Sequence, residues 1–396
     1  MIFKDNRGIL HSINNIPFVP KQILISKSKK GTLRGLHQSP YKKWIYCIEG
    51  HIIDFFIDNE MKENVIDLLP GQSICIEANN AHGFYALEKS RIIYLLENEY
   101  DIDKDINIYW NSPEFTFNKQ IPKPIYISTK DENSYYKYEY DICMIGSNGY
   151  LGSYLLNEFK KNNMKVLTIN NRLSEIENID THIKKSRCKY FVCAAGISGR
   201  PTIEWCEDNK EETWNVNYLD MLNLLKCCKN NKVHLTILGS GLIYKADMDN
   251  QIFNEEDKPN YTDKIYSKLR IQLEESVKLF DNVLYLRILY PATLDGHQKC
   301  FVSKVKTRAN NIHNISVPMT IVPSLFPIIP DMLNKNIVGI FNFVNEGNIK
   351  LPNILNYYKV DSNIIETNDK SYILDINKLK SYGYNIENIN NIFKIK

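Results

Sequence analysis

A glycine-rich segment in the middle of the chain constrains the fold more than any other feature of the sequence. It reads Gly146-Ser147-Asn148-Gly149-Tyr150-Leu151-Gly152, follows the apolar stretch Ile142-Cys143-Met144-Ile145 and opens a helix-like segment, Ser153 to Phe159. Glycines between a strand and a helix let the backbone approach a dinucleotide pyrophosphate, whose charge the helix N-terminus stabilises. The sequence therefore predicts that a nucleotide-binding domain begins near residue 140 and that a separate domain precedes it.

Composition narrows the class of protein. The 396 residues suggest two or three domains, and 24% charged with 43% hydrophobic residues is typical of globular proteins. A net charge of +3 predicts no nucleic-acid partner and no membrane surface. No signal-peptide pattern opens the sequence and no apolar run is long enough to span a bilayer, so we expect a cytoplasmic protein. Its nine cysteines show no metal-like pairing and are expected to be reduced.

The first 135 residues alternate short apolar strands with turn residues, and no helical period competes. This pattern is typical of an antiparallel barrel or jelly roll. The predicted strands are Lys43 to Ile48, His51 to Ile57, Val65 to Leu69, Ser73 to Ala78 and Arg91 to Leu96.

Separated motifs in this domain recur in a recognisable order. They are Phe3-Lys4-Asp5-Asn6-Arg7-Gly8, Gln22, Ser26, Ser28, Leu33-Arg34-Gly35-Leu36-His37, Lys43, Gly50, Asp54, Asp58, Ala81-His82-Gly83-Phe84, Tyr94 and Ser128-Thr129-Lys130-Asp131. Together they resemble the cupin-fold dTDP-4-dehydrorhamnose 3,5-epimerase family over nearly all of residues 1–135. The loop between His37 and Lys43 is shorter than is typical of that family.

The chemistry of such an epimerase explains these residue types. Inverting a carbon beside a ketone requires a base on one face, an acid on the other, and positive charge near the enolate oxygen. The resemblance implies that His37 is the base, oriented and made more basic by Asp131, that Tyr94 is the acid and that Lys43 stabilises the enolate. It also implies contacts to the nucleotide diphosphate from Arg7, Gln22 and Arg34. His82 either lines the pocket or braces the barrel. No His-x-His pair is present, so we expect no metal.

The second domain, predicted for residues 140–396 after a polar connector at Glu132 to Glu139, alternates strands and helices. This alternation predicts a doubly wound parallel sheet. The predicted elements are strands at Asp141 to Ile145, Lys165 to Ile169, Tyr190 to Cys193 and Leu235 to Leu238, a helix ending at Lys161, and a long helix around Thr213 to Cys228.

Further motifs refine this α/β prediction. They are Ala194-Ala195-Gly196-Ile197-Ser198-Gly199-Arg200-Pro201, Trp205-Cys206-Glu207, Asn215-Val216-Asn217, Gly239-Ser240-Gly241-Leu242-Ile243-Tyr244, Glu255-Glu256-Asp257, Pro259-Asn260-Tyr261-Thr262 and Tyr266-Ser267-Lys268. They resemble Rossmann-fold extended short-chain dehydrogenase/reductases of the dTDP-4-dehydrorhamnose reductase type, and most of all the plant-type UDP-4-keto-6-deoxyglucose 3,5-epimerase/4-reductase.

This resemblance implies roles for particular residues. Tyr266 would protonate the new alkoxide and Ser240 would bind the carbonyl oxygen, with Arg200 and Lys304 contacting the substrate. The residues implied to bind the cofactor are Gly146, Asn148, Gly149, Tyr150, Leu151, Gly152, Arg172, Ala194, Ala195, Gly196 and Asn217. The second strand ends in Asn170-Asn171 followed by Arg172, with no acid, which favours the 2′-phosphate of NADPH over NADH.

Two positions depart from the reductase pattern. The family's lysine, four residues after the tyrosine, holds the ribose, but Arg270 stands at that position. Arginine keeps the charge, although its planar fork is not interchangeable with an ammonium group. The plant-type enzyme also epimerises with a cysteine two residues after the Ser/Thr and a downstream lysine. Here the lysine is Lys304, whereas Leu242 replaces the cysteine and cannot transfer a proton.

The sequence thus predicts a division of labour in a bifunctional nucleotide-sugar enzyme. The cupin domain would epimerise a UDP- or dTDP-4-keto-6-deoxyhexose at C3, or at C3 and C5, and the second domain would then reduce C4 with NADPH to a rhamnose-type sugar. One alternative is 3-epimerisation and 4-reduction of a UDP-2-acetamido-2,6-dideoxy-hexulose. Another is an epimerase with a catalytically silent Rossmann module. The resemblance implies a homodimer through the cupin domain.

Overall fold

The computed structural model describes residues 2–200 and 202–394 and divides into two compact units between Glu139 and Tyr140. Pro201, the last residue of one motif above, lies outside the described residues, as do Met1, Ile395 and Lys396. Within the described ranges, no helix is long and apolar enough to cross a membrane.

The first unit consists almost entirely of β-strands. The strands are β1 (Ile2–Asp5), β2 (Gly8–His11), β3 (Gln22–Ser28), β4 (Leu33–Gln38), β5 (Lys43–Glu49), β6 (Ile52–Ile57), β7 (Glu63–Leu68), β8 (Ser73–Ile76), β9 (Ala81–Ala86), β10 (Ser90–Leu96) and β11 (Ile106–Asn107). A 3₁₀ turn at Phe117–Lys119 and a short helix, α1 (Thr129–Glu132), follow.

Two antiparallel sheets make up the body of this unit. One has the order β3-β10-β5-β8 and the other β11-β4-β9-β6-β7, while β1 and β2 form a separate hairpin. Inward side chains of both sheets, among them Ile45 and Ile92 from one and Ile52 and Phe84 from the other, share one core. The predicted all-β domain is therefore confirmed. The predicted strands correspond to β5–β8 and β10, whereas β9 is buried on both faces and escapes a search for alternation.

The predicted connector packs partly onto the first unit. Tyr136 is buried, and the backbone of Tyr135 pairs with Ile108. Burial of an aromatic ring and a backbone bridge order this stretch, so the chain leaves the first unit only after these residues.

The second unit alternates strands with helices. Its elements are β12 (Ile142–Ile145), α2 (Tyr150–Lys161), β13 (Val166–Ile169), α3 (Ile176–Ser186), β14 (Tyr190–Cys193), α4 (Trp205–Asp208), α5 (Lys210–Trp214), α6 (Asp220–Asn230), β15 (His234–Leu238), β16 (Gln251–Phe253), α7 (Ile265–Val277), β17 (Val283–Arg287), α8 (Phe301–Lys306), β18 (Ile312–His313), β19 (Ser316–Val317), α9 (Val322–Leu325), α10 (Ile329–Asn334), β20 (Gly339–Asn342), β21 (Ile349–Lys350), α11 (Leu351–Tyr357), β22 (Ile364–Ile365), β23 (Tyr372–Leu374), α12 (Asn377–Ser381) and α13 (Ile389–Ile392). Short 3₁₀ turns lie at Ala309–Asn311 and Phe326–Ile328.

A six-stranded parallel sheet organises this unit, in the order β13-β12-β14-β15-β17-β20. The predicted doubly wound α/β fold is confirmed. The strand order reverses beside β12, because the chain steps outward to β13 and then returns to β14. In such sheets a ligand binds in the crevice at the carboxyl ends of the strands where the order reverses. The glycine-rich segment directly follows β12 and lies at that edge.

The predicted long helix around Thr213 to Cys228 is interrupted. The structure has α5, then a π-helical stretch at Asn215–Leu219, then α6. Single π-turns widen a helix and frequently mark functional sites. Here the widened turn carries the buried Asn217, whose side chain bonds to the backbone of the loop after β14.

Candidate active sites

The first candidate site centres on a histidine–aspartate pair in the all-β unit. Nε2 of His37, on β4, lies 2.7 Å from Oδ1 of Asp131, on α1. Ser128 caps α1 by accepting the backbone N–H of Asp131, and the N–H of Gly35 reaches the same carboxylate at 3.4 Å. Burial raises the pKa of Asp131, but hydrogen bonds from His37, Ser128 and Gly35 outweigh it and hold the pKa below its usual value. The carboxylate therefore stays charged beside the imidazole.

A second histidine–aspartate pair lies on the adjacent strands. His82 of β9 is the cross-strand partner of His37, which places both side chains on the same face of the sheet. Nε2 of His82 lies 2.8 Å from Oδ2 of Asp54, and both residues are buried. The other oxygen of Asp54 has no hydrogen-bond partner among the described residues. This geometry allows both roles considered for His82, lining the pocket and bracing the barrel.

Tyr94 faces the same interior from the opposite sheet. It packs against the shared core, and the charges of Asp54 and Arg34 both act on its phenol. Burial is the main effect and raises the pKa of Tyr94 above its ordinary value, so this phenol is protonated at neutral pH. His37 and Tyr94 thus belong to facing sheets, as a base and an acid on opposite sides of a substrate would.

Lys43 opens β5 and is buried. Its strand position is in register with Leu96 of β10, which puts it on the same side as Tyr94. Burial lowers its pKa, and the charge of Asp105 opposes that shift. Asp105 is itself buried, accepts a hydrogen bond from Ser39 at 2.5 Å and pairs with Lys130 at 3.7 Å. The motifs did not single out Asp105, since its proximity to Lys43 arises only from the fold.

The three residues expected to contact the diphosphate lie at different places. Gln22 on β3 accepts the backbone N–H of Tyr100, and exposed Arg34 donates to Ser28. Arg7 lies in the exposed turn of the β1–β2 hairpin and pairs with Asp5 at 2.5 Å. The charge of Arg34 still acts on Tyr94, whereas Arg7 lies on a separate two-stranded sheet.

The second candidate site begins at the glycine loop after β12. Gly146 has φ +80°, and an added Cβ would lie 2.7 Å from the carbonyl carbon of Ala194. A Cβ on Gly152 would lie 2.0 Å from the carbonyl oxygen of Gly146. Only glycine fits at either position, because each lies against another stretch of backbone, and this close strand-to-helix turn is the one that a dinucleotide cradle requires. The described residues therefore fit a dinucleotide.

Neighbouring side chains extend this cradle. Exposed Asn148 donates to Asn170 at 3.1 Å, which joins the glycine loop to the end of β13. Tyr150 stacks on His297 with centroids 4.5 Å apart and bonds to Thr293 at 3.2 Å, while Leu151 packs into the main core.

The side chain of Arg172 is exposed beyond the end of β13. Its backbone N–H donates to Glu175 at 2.9 Å, and Asn171 donates to the same carboxylate oxygen. The sequence pattern missed Glu175, whose carboxylate folds back onto the backbone N–H of Arg172, three positions earlier in the chain.

The catalytic candidates of α7 form a tight group with the π-helical turn. The guanidinium carbon of Arg270 lies 5.2 Å from the ring centroid of Tyr266, and Nη2 lies 3.3 Å from Oδ1 of Asn217. Asn217 in turn bonds to both the N–H and the C=O of Ile197, at 3.0 and 2.8 Å. The loop Ala194-Ala195-Gly196 is thereby fixed, and a Cβ on Gly196 would come within 3.0 Å of Arg270.

Ser240 follows the carboxyl end of β15 and is buried, and its hydroxyl accepts the N–H of Leu242 at 3.2 Å. Leu242 packs against the main core. The two residues expected to contact the substrate lie on other elements. Lys304 lies on α8. Arg200 is exposed, pairs with Glu212 at 3.4 Å and stacks over the ring of Trp205.

Two family models match the chain, one for each unit. The model described as dTDP-4-dehydrorhamnose 3,5-epimerase matches residues 2–137, and that of the NAD dependent epimerase/dehydratase family matches residues 142–313. The fold and the two family models therefore define a fusion of a sugar-nucleotide epimerase-type domain with a domain of the NAD-dependent epimerase/dehydratase type.

Relatives identify the family more closely. The chain is 30% identical over 235 residues to the bifunctional dTDP-4-dehydrorhamnose 3,5-epimerase/dTDP-4-dehydrorhamnose reductase of Arabidopsis thaliana, covering 58% of this chain and 78% of that protein. The chain belongs to this family of epimerase/reductases.

It is also 34% identical over 220 residues to a trifunctional UDP-glucose 4,6-dehydratase/UDP-4-keto-6-deoxy-D-glucose 3,5-epimerase/UDP-4-keto-L-rhamnose-reductase of Arabidopsis thaliana, covering 54% of this chain. The chain spans about a third of the length of these longer relatives. The crystal structure of a UDP-rhamnose synthase from Acanthamoeba polyphaga mimivirus shares the fold, with a TM-score of 0.60 at 24% identity over 65% of this chain and 98% of that one.

Proposed function

We propose that the chain is a bifunctional nucleotide-sugar enzyme. Its first unit epimerises a UDP- or dTDP-4-keto-6-deoxyhexose at C3, or at C3 and C5, and its second unit reduces the C4 ketone with NADPH. The product would be UDP-L-rhamnose or a related 6-deoxy-L-sugar. The observation that carries this proposal is the 2.7 Å pair of His37 and Asp131 opposite Tyr94, in a chain whose reductase unit has Leu242 where a proton-transferring cysteine is needed.

In the first unit, His37 would remove the proton from C3, next to the ketone. The carboxylate of Asp131 would then stabilise the imidazolium that forms. The buried ammonium of Lys43 would stabilise the enolate oxygen. Tyr94 would deliver its proton to the opposite face of the same carbon, which inverts the centre. Exchange of both side chains with solvent would then restore the starting protonation states.

In the second unit, Tyr266 would donate its proton to the C4 oxygen while Ser240 holds that oxygen. Bound NADPH would supply the hydride. Gly146, Gly149 and Gly152 would give its pyrophosphate room, and the exposed guanidinium of Arg172 would pair with the 2′-phosphate. The buried charge of Arg270, 5.2 Å from the ring of Tyr266, would stabilise the phenolate left after proton transfer. Burial opposes the charge of Arg270, but Tyr266 and Tyr285 beside it raise its pKa above the ordinary value.

Fusion of the two activities has a kinetic rationale. The epimerised 4-keto sugar is the substrate of the second unit, and tethering raises the effective concentration of one site for the other's product.

An exposed apolar surface on the first unit supports a homodimer. Strand β3 is an edge strand of its sheet, and Ile23 and Ile25 on it are more than half exposed, as are Phe3, Ile9 and Leu10 on the β1–β2 hairpin. Exposed apolar residues of this kind are typical of a protein–protein interface. We propose that a second copy of the chain covers it.

The proposal is tested by incubating the protein with UDP- and dTDP-4-keto-6-deoxyglucose, with NADPH or NADH, and identifying the sugar by NMR. The expected result is a 6-deoxy-L-hexose formed with consumption of NADPH. A UDP-2-acetamido-2,6-dideoxy-4-hexulose, supplied in parallel, tests the alternative substrate. Solvent exchange at C3 without any NADPH or NADH oxidation would instead identify an epimerase with a silent second unit.

A further inference from the structure

The helix that carries Asp131 is a single turn, so its position depends on contacts outside it. α1 spans Thr129–Glu132, and a helix this short is not stable on its own. Two serines bind its backbone: the hydroxyl of Ser128 accepts the N–H of Asp131 at 3.1 Å, and that of Ser134 donates to the C=O of Asp131 at 2.6 Å. Both bonds lie within α1 and its flanking residues, so they shape the turn without attaching it to the strand of His37.

The residue before Asp131 reaches from α1 to a buried carboxylate. Nζ of Lys130 lies 3.7 Å from Oδ2 of Asp105 and donates to the hydroxyl of Tyr100 at 3.1 Å. That hydroxyl donates in turn to Oδ2 of Asp105 at 3.4 Å, so the three groups form a closed triangle. The side chain of Asp105 is 1% exposed, and a carboxylate that has lost its water is stabilised by a counter-charge and by hydrogen bonds.

Asp105 is fixed to the strands around His37. It immediately precedes β11, and Asn107 of β11 is the cross-strand partner of His37 in β4. Its other oxygen, Oδ1, accepts a hydrogen bond from the hydroxyl of Ser39 at 2.5 Å, and Ser39 directly follows β4. Asp105 therefore lies two positions from Asn107 on one strand and is bonded two positions from His37 on the other.

We propose that Lys130 and Asp105 are positioning residues for the pair of His37 and Asp131. Their ion pair ties α1 to β4 and β11 and so keeps the carboxylate of Asp131 2.7 Å from Nε2 of His37. A charged carboxylate only accepts, so Nε2 carries its proton and Nδ1 is left to receive one from the sugar. The inference rests on the proposed epimerase function of the first unit.

Small displacements of Asp131 have a large effect on that function. The attraction between a carboxylate and an imidazolium falls as the distance between them grows. Misplacing a group that serves a reaction by about 1 Å costs up to about 100-fold in rate. An anchor on the strands around His37 limits such displacement of α1.

A double-mutant cycle tests this dependence. Lys130→Met keeps a long, helix-favouring side chain and removes the ammonium group. The change is made in the wild-type chain and in the Asp131→Asn chain, and the uptake of solvent deuterium at C3 of UDP-4-keto-6-deoxyglucose is measured. Lys42→Met is the matched control, because Lys42 belongs to the same unit, is 39% exposed against 36% for Lys130, and pairs with Glu77 at 2.8 Å.

In the wild-type chain, Lys130→Met is expected to slow deuterium uptake by about 10-fold, the effect of losing one hydrogen bond that involves a charged group. In the Asp131→Asn chain the same change is expected to alter the rate less than about 2-fold, because no carboxylate is left to position. Lys42→Met should have no effect in either chain. Equal slowing in the two chains would show that Lys130 acts on the substrate or on the fold in general and would overturn the inference, as would a wild-type rate in the Lys130→Met chain.

A second readout does not depend on turnover. The Nε2 proton of His37 is observed by ¹H–¹⁵N NMR of the full chain labelled at histidine, and its exchange with water is measured. Lys130→Met is expected to speed this exchange by about 10-fold, and Lys42→Met to leave it unchanged. Asp105→Asn breaks the same ion pair from the other side and is expected to give the same result as Lys130→Met. Exchange at the wild-type rate in both of these variants would contradict the inference.

The two proposals fail in different ways. A wild-type chain that takes up no deuterium at C3 refutes the epimerase proposal, while the NMR measurement still decides the role of Lys130. Thermal unfolding of each variant separates loss of the ion pair from loss of the fold.

Discussion

Replacing Asp131 by asparagine tests the proposed base of the first unit most sharply. The change keeps the size of the side chain but removes the charge that lies 2.7 Å from Nε2 of His37. When His37 takes a proton from the sugar, the centres of the two charges are about 4 Å apart, and at an effective dielectric constant of about 20 they attract by about 4 kcal/mol. The imidazole is 29% exposed, which reduces the loss to about 3 kcal/mol. We therefore expect Asp131→Asn to slow proton removal by roughly 100-fold.

The assay is the uptake of solvent deuterium at C3 of UDP-4-keto-6-deoxyglucose, followed by NMR without NADPH. The chain offers a matched control in Asp67, whose carboxylate lies at the same 2.7 Å from His51 but is 67% exposed. Asp67→Asn should exchange deuterium at the wild-type rate, and both variants should still reduce a sugar that is already epimerised. If Asp131→Asn exchanges as fast as wild type, the pair with His37 plays no part in removing the proton.

Five further substitutions, at four positions, probe the second unit. Arg270→Lys should retain or improve C4 reduction of an epimerised sugar, whereas Arg270→Ala should lose most of this activity. Tyr266→Phe should lose nearly all of it, and NADPH oxidation by this variant at the wild-type rate would refute the role of Tyr266 as proton donor. Gly152→Ala should abolish NADPH binding while deuterium exchange by the first unit continues, because the new methyl group would lie 2.0 Å from a carbonyl oxygen of the glycine loop. Unchanged NADPH affinity would contradict the proposal that this loop binds the cofactor. Glu274→Gln should lower the free energy of unfolding by about 3–5 kcal/mol in denaturant, since it leaves the fully buried Arg287 without its counter-charge. A loss of stability under about 1 kcal/mol would show that Arg287 finds another partner.

Local sequence patterns predicted most of the fold. The glycine loop after β12 and the alternation of strands and helices depend on neighbours in the chain, so they could be read directly. The interruption of the helix at Asn217 could not. It depends on hydrogen bonds to Ile197, twenty positions away, and no local pattern encodes them.

The same distinction applies to the sites. Motif resemblance nominated His37 and Asp131, which are distant in sequence and hydrogen-bonded in the structure. Their roles as base and orienting carboxylate remain predictions. Asp105 carried no motif signal, because it comes close to Lys43 only through the fold. Glu175 carried none either, although it lies only three positions from Arg172.

Mixing two inactivated full-length chains tests the division of labour most directly. A His37→Ala chain should bind NADPH but make no reduced sugar from UDP-4-keto-6-deoxyglucose, because it cannot epimerise. A Tyr266→Phe chain should exchange deuterium at C3 but not consume NADPH. The mixture is predicted to form the 6-deoxy-L-sugar, since the epimerised ketone made by one chain is reduced by the other. Formation of that product by the His37→Ala chain alone would contradict the assignment of epimerisation to the first unit.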